Sequence, residues 1–411
     1  MKKYSAIILA EKDGTNFRSQ FPQAKAEVLF QPLILWAIDC CKKAGIEDVC
    51  VYIGEQREVL ELVKNEEVST ARYVSDTASF AEAADCDNIL VFSCDKPLIK
   101  PELLQKSFDF HKIHSKTQVT TLTENEELCG IVWIEKTAFL KIMEQGESVD
   151  LNNLTTEAEN NDFRVSEYAV KDVWQLRKAQ SRRDLLELTQ IANSNKIDEL
   201  MENGVGFTSL DGVLISPQVE IGADTIIHSG TQLKGKVIIG KNCQIGANTI
   251  IENSTIGDNT LIHSSLIEES FVGSGVKIGP NSHLRPKSVL KDKVKIGNFV
   301  EVKNSTLGES TSVAHLTYIG DSDFGSKINV GCGVVCVNYN GHAKARCTVE
   351  DNAFIGCNTN LVAPVKVCKG AYTAAGSTIT DEVPENALGI ARSRQTNIEG
   401  WAERHHNKYK K

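Results

Sequence analysis

Long apolar runs are missing from this 411-residue chain. None approaches the roughly 20 residues that a membrane-crossing helix needs, so no helical membrane span is expected. An excess of positive charge is missing too. Lys and Arg number 45 against 54 Asp and Glu, the net charge is −9 and the pI about 5.6. That balance excludes nucleic acid or an anionic membrane surface as the partner of the chain as a whole, and any basic site must be local. Cysteine is plentiful, at twelve, but CxxC spacing is absent. Cys50, Cys94 and Cys368 sit in apolar runs, and Cys332 and Cys336, in a Gly-rich stretch, make a poor zinc signature. Buried, reduced thiols in a reducing compartment are the reading. Met1-Lys2-Lys3 lead straight into the strand-like Ala6-Ile7-Ile8-Leu9 rather than a signal sequence, so the cytoplasm is the expected location. Within residues 205–385 the Asn-Gly turn of β-hairpins occurs once, at Asn340-Gly341.

What fills residues 205–385 instead is a six-residue beat of an aliphatic residue, a small residue and polar positions. Ile221-Gly222 and Ile239-Gly240 are eighteen apart, Ile245-Gly246 follows six later, and Ile278-Gly279 and Ile296-Gly297 are again eighteen apart. Ile256-Gly257, Ile319-Gly320 and Ile355-Gly356 restart the count after irregular stretches. Six residues make a short strand and a corner, and three such units make one triangular coil. The aliphatic residue stacks on its counterpart in the next coil, and the small residue lets the chain turn. No unit can bury its apolar face alone, so the beat predicts a parallel β-helix held by neighbour-on-neighbour stacking.

Residues 1–175 have a different texture. Apolar runs at 6–9, 49–53 and 89–92 alternate with helix-like stretches at 33–44, 59–64 and 101–111, which predicts an open α/β sheet. Residues 173–203 carry spaced Leu and Ile among charges, with no Gly or Pro. They read as one or two helices closed by Gly204, an arm over 176–204 leading into the solenoid of 205–392. The basic tail, 393–411, is expected to order only against a ligand or a neighbouring subunit.

The densest polar cluster runs from His283 to Tyr339. Arg285, Lys303 and Tyr318, eighteen and fifteen apart, suit successive coils of one face. Two cations and a phenol there suit a phosphorylated sugar, because ionised donors make the stronger hydrogen bonds to phosphate oxygens.

In order along the chain stand Leu-Arg-Pro (284–286), Phe-Val-Glu-Val-Lys-Asn-Ser (299–305), His-Leu-Thr-Tyr-Ile-Gly-Asp (315–321), Asn-Tyr-Asn-Gly (338–341), Leu-Val-Ala-Pro-Val (361–365), Ala-Ala-Gly-Ser-Thr (374–378), Ser-Arg-Gln (393–395) and Asn-Ile-Glu-Gly-Trp (397–401). With these words, residues 279–401 closely resemble the acetyltransferase half of the bifunctional N-acetylglucosamine-1-phosphate uridyltransferase/glucosamine-1-phosphate acetyltransferase family. The resemblance implies a left-handed β-helix and a homotrimer with active sites between neighbouring helices. It implies acetyl-CoA and glucosamine 1-phosphate as substrates. His315 matches the general base that takes a proton from the 2-amino group, a task suited to an imidazole titrating near neutrality. Arg285, Lys303, Tyr318, Asn329 and Lys344 match positions that hold the sugar phosphate. Cys332, Asn338, Tyr339, Cys357, Ala375 and Arg392 match positions around the acetyl group and coenzyme A, and backbone N–H groups near Cys332 suit a tetrahedral oxyanion. Cys332 and Cys357 depart from the family, which usually has a smaller residue and a Ser there. The three-histidine zinc chemistry of carbonic anhydrases built on this helix needs close pairing, which His228, His263, His283, His315 and His342 lack.

The family's other half is a sugar nucleotidyltransferase, and residues 1–175 resemble it in outline. Its phosphate loop, Leu-Ala-x-Gly-x-Gly-Thr-Arg-Met with a downstream Pro-Lys, reads here Leu9-Ala10-Glu11-Lys12-Asp13-Gly14-Thr15-Asn16-Phe17, then Pro22-Gln23. One Gly has become Lys12, the Arg Asn16 and the Lys Gln23. The glycine lets backbone N–H groups reach phosphates and the cations offset their charge, so uridyl transfer is expected to be lost. Asp95 keeps the place of a magnesium ligand, relevant if this half is active. The second ligand, an Asn expected near 179–182, is replaced by Gln180 and Ser181. Two rival readings stand beside an acetyltransferase with a vestigial first domain: a chain still bifunctional, or a non-catalytic scaffold or regulatory subunit. A changed amino-sugar acceptor is a further variant.

Overall fold

The computed structural model describes residues 4–114 and 117–409, so Met1-Lys2-Lys3 and the last two residues of the tail lie outside the described residues. The chain divides into two compact units, Met1–Asp198 and Glu199–Lys411.

The first unit is built on a seven-stranded sheet. Its strands lie in the order Ser69–Ala71, Val49–Tyr52, Tyr4–Leu9, Asn88–Ser93, Glu127–Glu135, Val119–Glu124, Val165–Ala169. The first four are parallel and bury aliphatic runs such as Ala6, Ile7 and Ile8, as expected of strands covered on both faces. Glu127–Glu135 then runs antiparallel to both its neighbours, a reversal that the apolar runs did not announce. Helices Leu33–Lys43, Val59–Val63 and Pro101–Ile113 fall where the sequence puts helix-like stretches, whereas Val74–Ala83, Lys136–Met143 and Leu154–Asn160 are further helices. Strand Tyr4–Leu9 has Val49–Tyr52 on one side and Asn88–Ser93 on the other, both parallel to it, so strand order reverses here and the crevice beyond Leu9 and Ser93 is where such sheets take ligands.

Helix Arg182–Glu202 is capped by Ser181, whose hydroxyl accepts from the Asp184 N–H and donates to its carboxylate. It ends at Gly204, whose φ of +88° is open to glycine at no steric cost.

The second unit is a β-helix of parallel strands on three faces. Its interior is three aliphatic columns. On one face Ile227, Ile245, Ile262, Ile278, Ile296, Val313, Val330 and Ile355 stack coil on coil. On the next, Ile215, Leu233, Ile251, Ile267, Leu284, Val302 and Ile319 do the same. Ile239, Ile256, Val272, Leu290, Leu307, Phe324 and Val349 fill the third. The coils are not uniformly eighteen residues long. Ile227 and Ile245 are eighteen apart, Ile245 and Ile262 seventeen, and Ile262 and Ile278 sixteen. Shorter coils close their corners with single residues in the left-handed region, among them Asn253, Ser264 and Glu269. Val330 and Ile355 are twenty-five apart. The extra residues lie between Val337 and Cys347, where Tyr339–Arg346 leave the coil and return. In the tail, Trp401–Tyr409 form a helix that the sequence reading did not assign, with Trp401 stacked on His405 at 4.5 Å.

Candidate active site

Two adjacent corners of the β-helix gather most of the residues singled out from the sequence. At the first, the register of one coil on the next generates a column. His315 lies opposite Asn298. Ser312 and Val313 pair with Asn329 and Val330, and Tyr318 with Val335, a shift of seventeen that sets His315 over Cys332. Val330 pairs with Ile355 and Ile355 with Thr373, shifts of twenty-five and eighteen that set Cys332 over Cys357 and Cys357 over Ala375. Backbone hydrogen bonds from Asn358 N–H to the Cys332 carbonyl (2.7 Å) and from Gly376 N–H to the Cys357 carbonyl (2.8 Å) tie these corners together. Arg392 reaches the same place: a Cβ on Gly376 would lie 3.8 Å from its Cδ. His315, Cys357, Ala375 and Arg392 are all exposed. Asn329, also exposed, stands one strand position into the neighbouring face, under Ser312.

The second corner holds the cations. Leu284 pairs with Val302, so Arg285 follows directly over Lys303, and Lys303 pairs with Gly320. Arg285 donates to the Glu301 carboxylate at 2.8 Å. Lys303 is within hydrogen-bonding reach of Lys344, and that contact, with the charges of Lys344 and Arg285, pushes the Lys303 ammonium below the ordinary lysine range. Three cations thus crowd one corner, with Glu301 on Arg285 and Asp321 nearby as counter-charge. Tyr318 folds back over Gly320; a Cβ there would lie 2.3 Å from the phenol oxygen, so only glycine admits this pose. Asn338 reaches the Tyr318 hydroxyl at 3.4 Å.

Beneath this cluster is a polar ladder that sequence reasoning passed over. Asp321 is buried and accepts from Asn304 on the coil before and Asn338 on the coil after. Burial pushes its carboxyl up, but those two amides and the Lys344 and Lys303 charges outweigh burial and hold it below the usual range. Lys344 itself comes from the eight-residue excursion. A bidentate pair from Arg346 to Asp323 (2.8 and 2.7 Å), with further bonds to the Asn304 and Ser322 carbonyls, pins its root. At its tip Asn340 caps the His342 and Ala343 N–H groups, and Tyr339 donates to the Gly341 carbonyl at 2.7 Å. The one signal that could have pointed here is the lone Asn-Gly turn.

Family models match this half of the chain. EIF2B subunit epsilon LbH domain matches residues 208–302, and Hexapeptide repeat of succinyl-transferase matches 346–381. Across its whole length the chain is 37% identical to Bifunctional protein GlmU of Clostridioides difficile (strain 630), covering 98% of both chains. It belongs to the GlmU family. Bifunctional protein GlmU of Clostridium kluyveri (strain ATCC 8527 / DSM 555 / NBRC 12016 / NCIMB 10680 / K1) is 36% identical over 96% of this chain and 97% of its own. That of Caldanaerobacter subterraneus subsp. tengcongensis is also 36% identical, over 98% of both. The chain is accordingly a transferase with a nucleotidyltransferase-like α/β unit and a hexapeptide β-helix, and among the described residues no helix is long and apolar enough to cross a membrane.

In the crevice beyond Leu9 and Ser93, Asp95, the candidate magnesium ligand, is already engaged by cations of its own chain. Asp95 is 2% exposed. One of its oxygens meets Lys96 Nζ at 2.8 Å and the other meets Lys12 Nζ at 3.6 Å. Burial pushes the carboxyl up, but Lys96, then Lys12 and Lys178, outweigh burial and hold it below the usual range. Among the described residues no group of three His, Cys, Asp or Glu side chains converges to hold a metal. Gln23, where the family has Lys, is buried and donates to the Ala179 carbonyl at 2.6 Å. Glu11 accepts from Asn152 and Asp13 from the Thr15 N–H.

Proposed function

We propose that the β-helix transfers the acetyl group of acetyl-CoA to the 2-amino nitrogen of glucosamine 1-phosphate, and that the first unit no longer transfers uridylate. The observation that carries the first part is the crowding of Arg285, Lys303 and Lys344 at one corner. Like charges brought together cost energy unless an anion comes to them, and a phosphate offers that anion with the acceptors to match. The adjoining column of His315, Cys332, Cys357 and Ala375 offers an exposed edge along which the pantetheine arm can lie. His315 accepts a proton from the attacking amine. The nitrogen bonds to the thioester carbonyl carbon, the oxyanion forms, and the carbon–sulfur bond breaks to release coenzyme A as the thiol, with the proton going to sulfur. Tyr318, held by Gly320, and Asn338 orient the sugar end, and Arg392 suits the phosphates of the cosubstrate. A homotrimer, with neighbouring helices completing each site, fits the exposure of His315, Cys357, Ala375 and Arg392.

Loss of uridyl transfer is supported by the first unit answering its own charges: the metal carboxylate is paired with two lysines, and the glutamine in place of the leaving-group cation is bound to backbone. The rival reading, a chain still bifunctional, draws on the full-length match to relatives of that description. One experiment with two readouts decides. Thiol release from acetyl-CoA is expected with glucosamine 1-phosphate and weaker with other amino sugars. Pyrophosphate release from UTP, N-acetylglucosamine 1-phosphate and magnesium is expected at background. Robust pyrophosphate turnover, or no thiol release with any amino sugar, overturns the corresponding half.

A further inference from the structure

Ten of the twelve cysteines are buried; Cys332 and Cys357 are not. These two are also neighbours, one directly over the other on consecutive coils, as the pairing of Val330 with Ile355 and the Asn358-to-Cys332 hydrogen bond require. The coils touch closely at this point: a Cβ on Gly331 would lie 2.6 Å from the Cys357 nitrogen. Hydrogen-bonded strands run about 4.8 Å apart, which falls inside the Cα separation of roughly 4.4–6.8 Å that a disulfide spans. Solvent access and stacking therefore coincide at the same two thiols.

We propose that Cys332 and Cys357 form an oxidisable dithiol whose disulfide closes the edge on which the acetyl donor lies. Each thiol gives up one proton and one electron, the sulfur–sulfur bond forms, and a peroxide accepts both as its oxygen–oxygen bond breaks to give two waters. The pair sits in the column directly below His315. A bridge there ties two coils at the place where the thioester carbonyl must meet the incoming amine. The bond itself rests on the stacking and accessibility of the two thiols, whereas its effect on acetyl transfer rests on the acetyltransferase reading above.

The test uses the full-length native protein treated with hydrogen peroxide, then alkylated and analysed by intact mass and non-reducing peptide mapping, with thiol release measured in parallel after removal of the oxidant. The expected result is loss of two hydrogens, a crosslink joining the peptides of Cys332 and Cys357, loss of acetyl transfer, and recovery of both with dithiothreitol. In Cys357→Ser the rates before and after oxidant, compared within that variant, should be equal. Oxygen added to either thiol without the crosslink, or a crosslink that leaves the rate unchanged, overturns the proposal. A crosslink in a protein whose reduced form never transfers acetyl to an amino sugar overturns the acetyltransferase reading and, with it, the proposed closure, while leaving the dithiol itself established by mass.

Discussion

At the corner of the β-helix, Lys303 and Lys344 face each other and share their counter-charge with one carboxylate below; in the crevice of the α/β unit, Asp95 is flanked by two ammoniums of its own chain. The first arrangement is electrostatically incomplete and the second is closed. Binding sites for anions are kept incomplete by necessity, because a cation already paired within the fold must give up that partner before it can take a ligand. The difference between the two regions is thus one of unspent charge rather than of fold, and each prediction below tests it from one side.

The largest effect is expected from His315→Ala. Removal of the general base should lower the rate constant of acetyl transfer by about 10²–10⁴-fold, while thermal unfolding stays where it was because the side chain is exposed. An unchanged rate would detach the column from the chemistry. Asp95→Asn probes the closed side. Breaking a buried ion pair by removing one partner costs about 3–5 kcal/mol, so urea unfolding of the first unit should shift to markedly lower denaturant with thiol release intact. A variant of unchanged stability would mean that the two lysines are not held by Asp95.

Lys303→Ala should raise KM for glucosamine 1-phosphate by roughly ten- to a hundredfold, the loss of one charge-assisted hydrogen bond of about 1.5–3 kcal/mol, with little change in KM for acetyl-CoA. Gly320→Ala should mimic it in part, since the added methyl collides with the Tyr318 hydroxyl. The smallest effects concern pH. Lys303 loses its charge at a lower pH than the ordinary lysine value of about 10.4, so KM for the phosphorylated acceptor should climb early on the alkaline side. Asp95 has a depressed folded-state pKa. Its stabilisation is complete above the unfolded carboxylate value of about 3.9 and lost as pH falls through the folded one, so unfolding of the first unit should steepen only in acid. Equilibrium urea titrations at stepped pH would show it.

Much of this was readable in the chain. The aliphatic beat yields the three interior columns directly, and the eighteen-residue gap between Arg285 and Lys303 is one full coil. The column through His315, Cys332, Cys357 and Ala375 was not readable from any period, because its steps are seventeen, twenty-five and eighteen residues. Left-handed corner residues occur in eighteen-residue coils (Asn242, Asn248) as in shorter ones (Asn253, Ser264), so no side chain flags where a coil is shortened. Lys12 could be seen to displace a glycine, but its meeting with Asp95 depends on two strands lying side by side at the switch of the sheet. The antiparallel strand Glu127–Glu135 was hidden for a similar reason: its apolar run looks like that of a parallel strand.

The excursion Tyr339–Arg346 has a consequence for how such a protein can change. The coils above and below it remain in register on all three faces, so the interior does not sense the added length. A solenoid can therefore acquire a reading head at one corner by insertion alone, fastened by a single guanidinium clamp. Exchange of residues 339–345 between relatives, with Arg346 and Asp323 left in place, becomes a route to new acceptor preferences that leaves the architecture undisturbed.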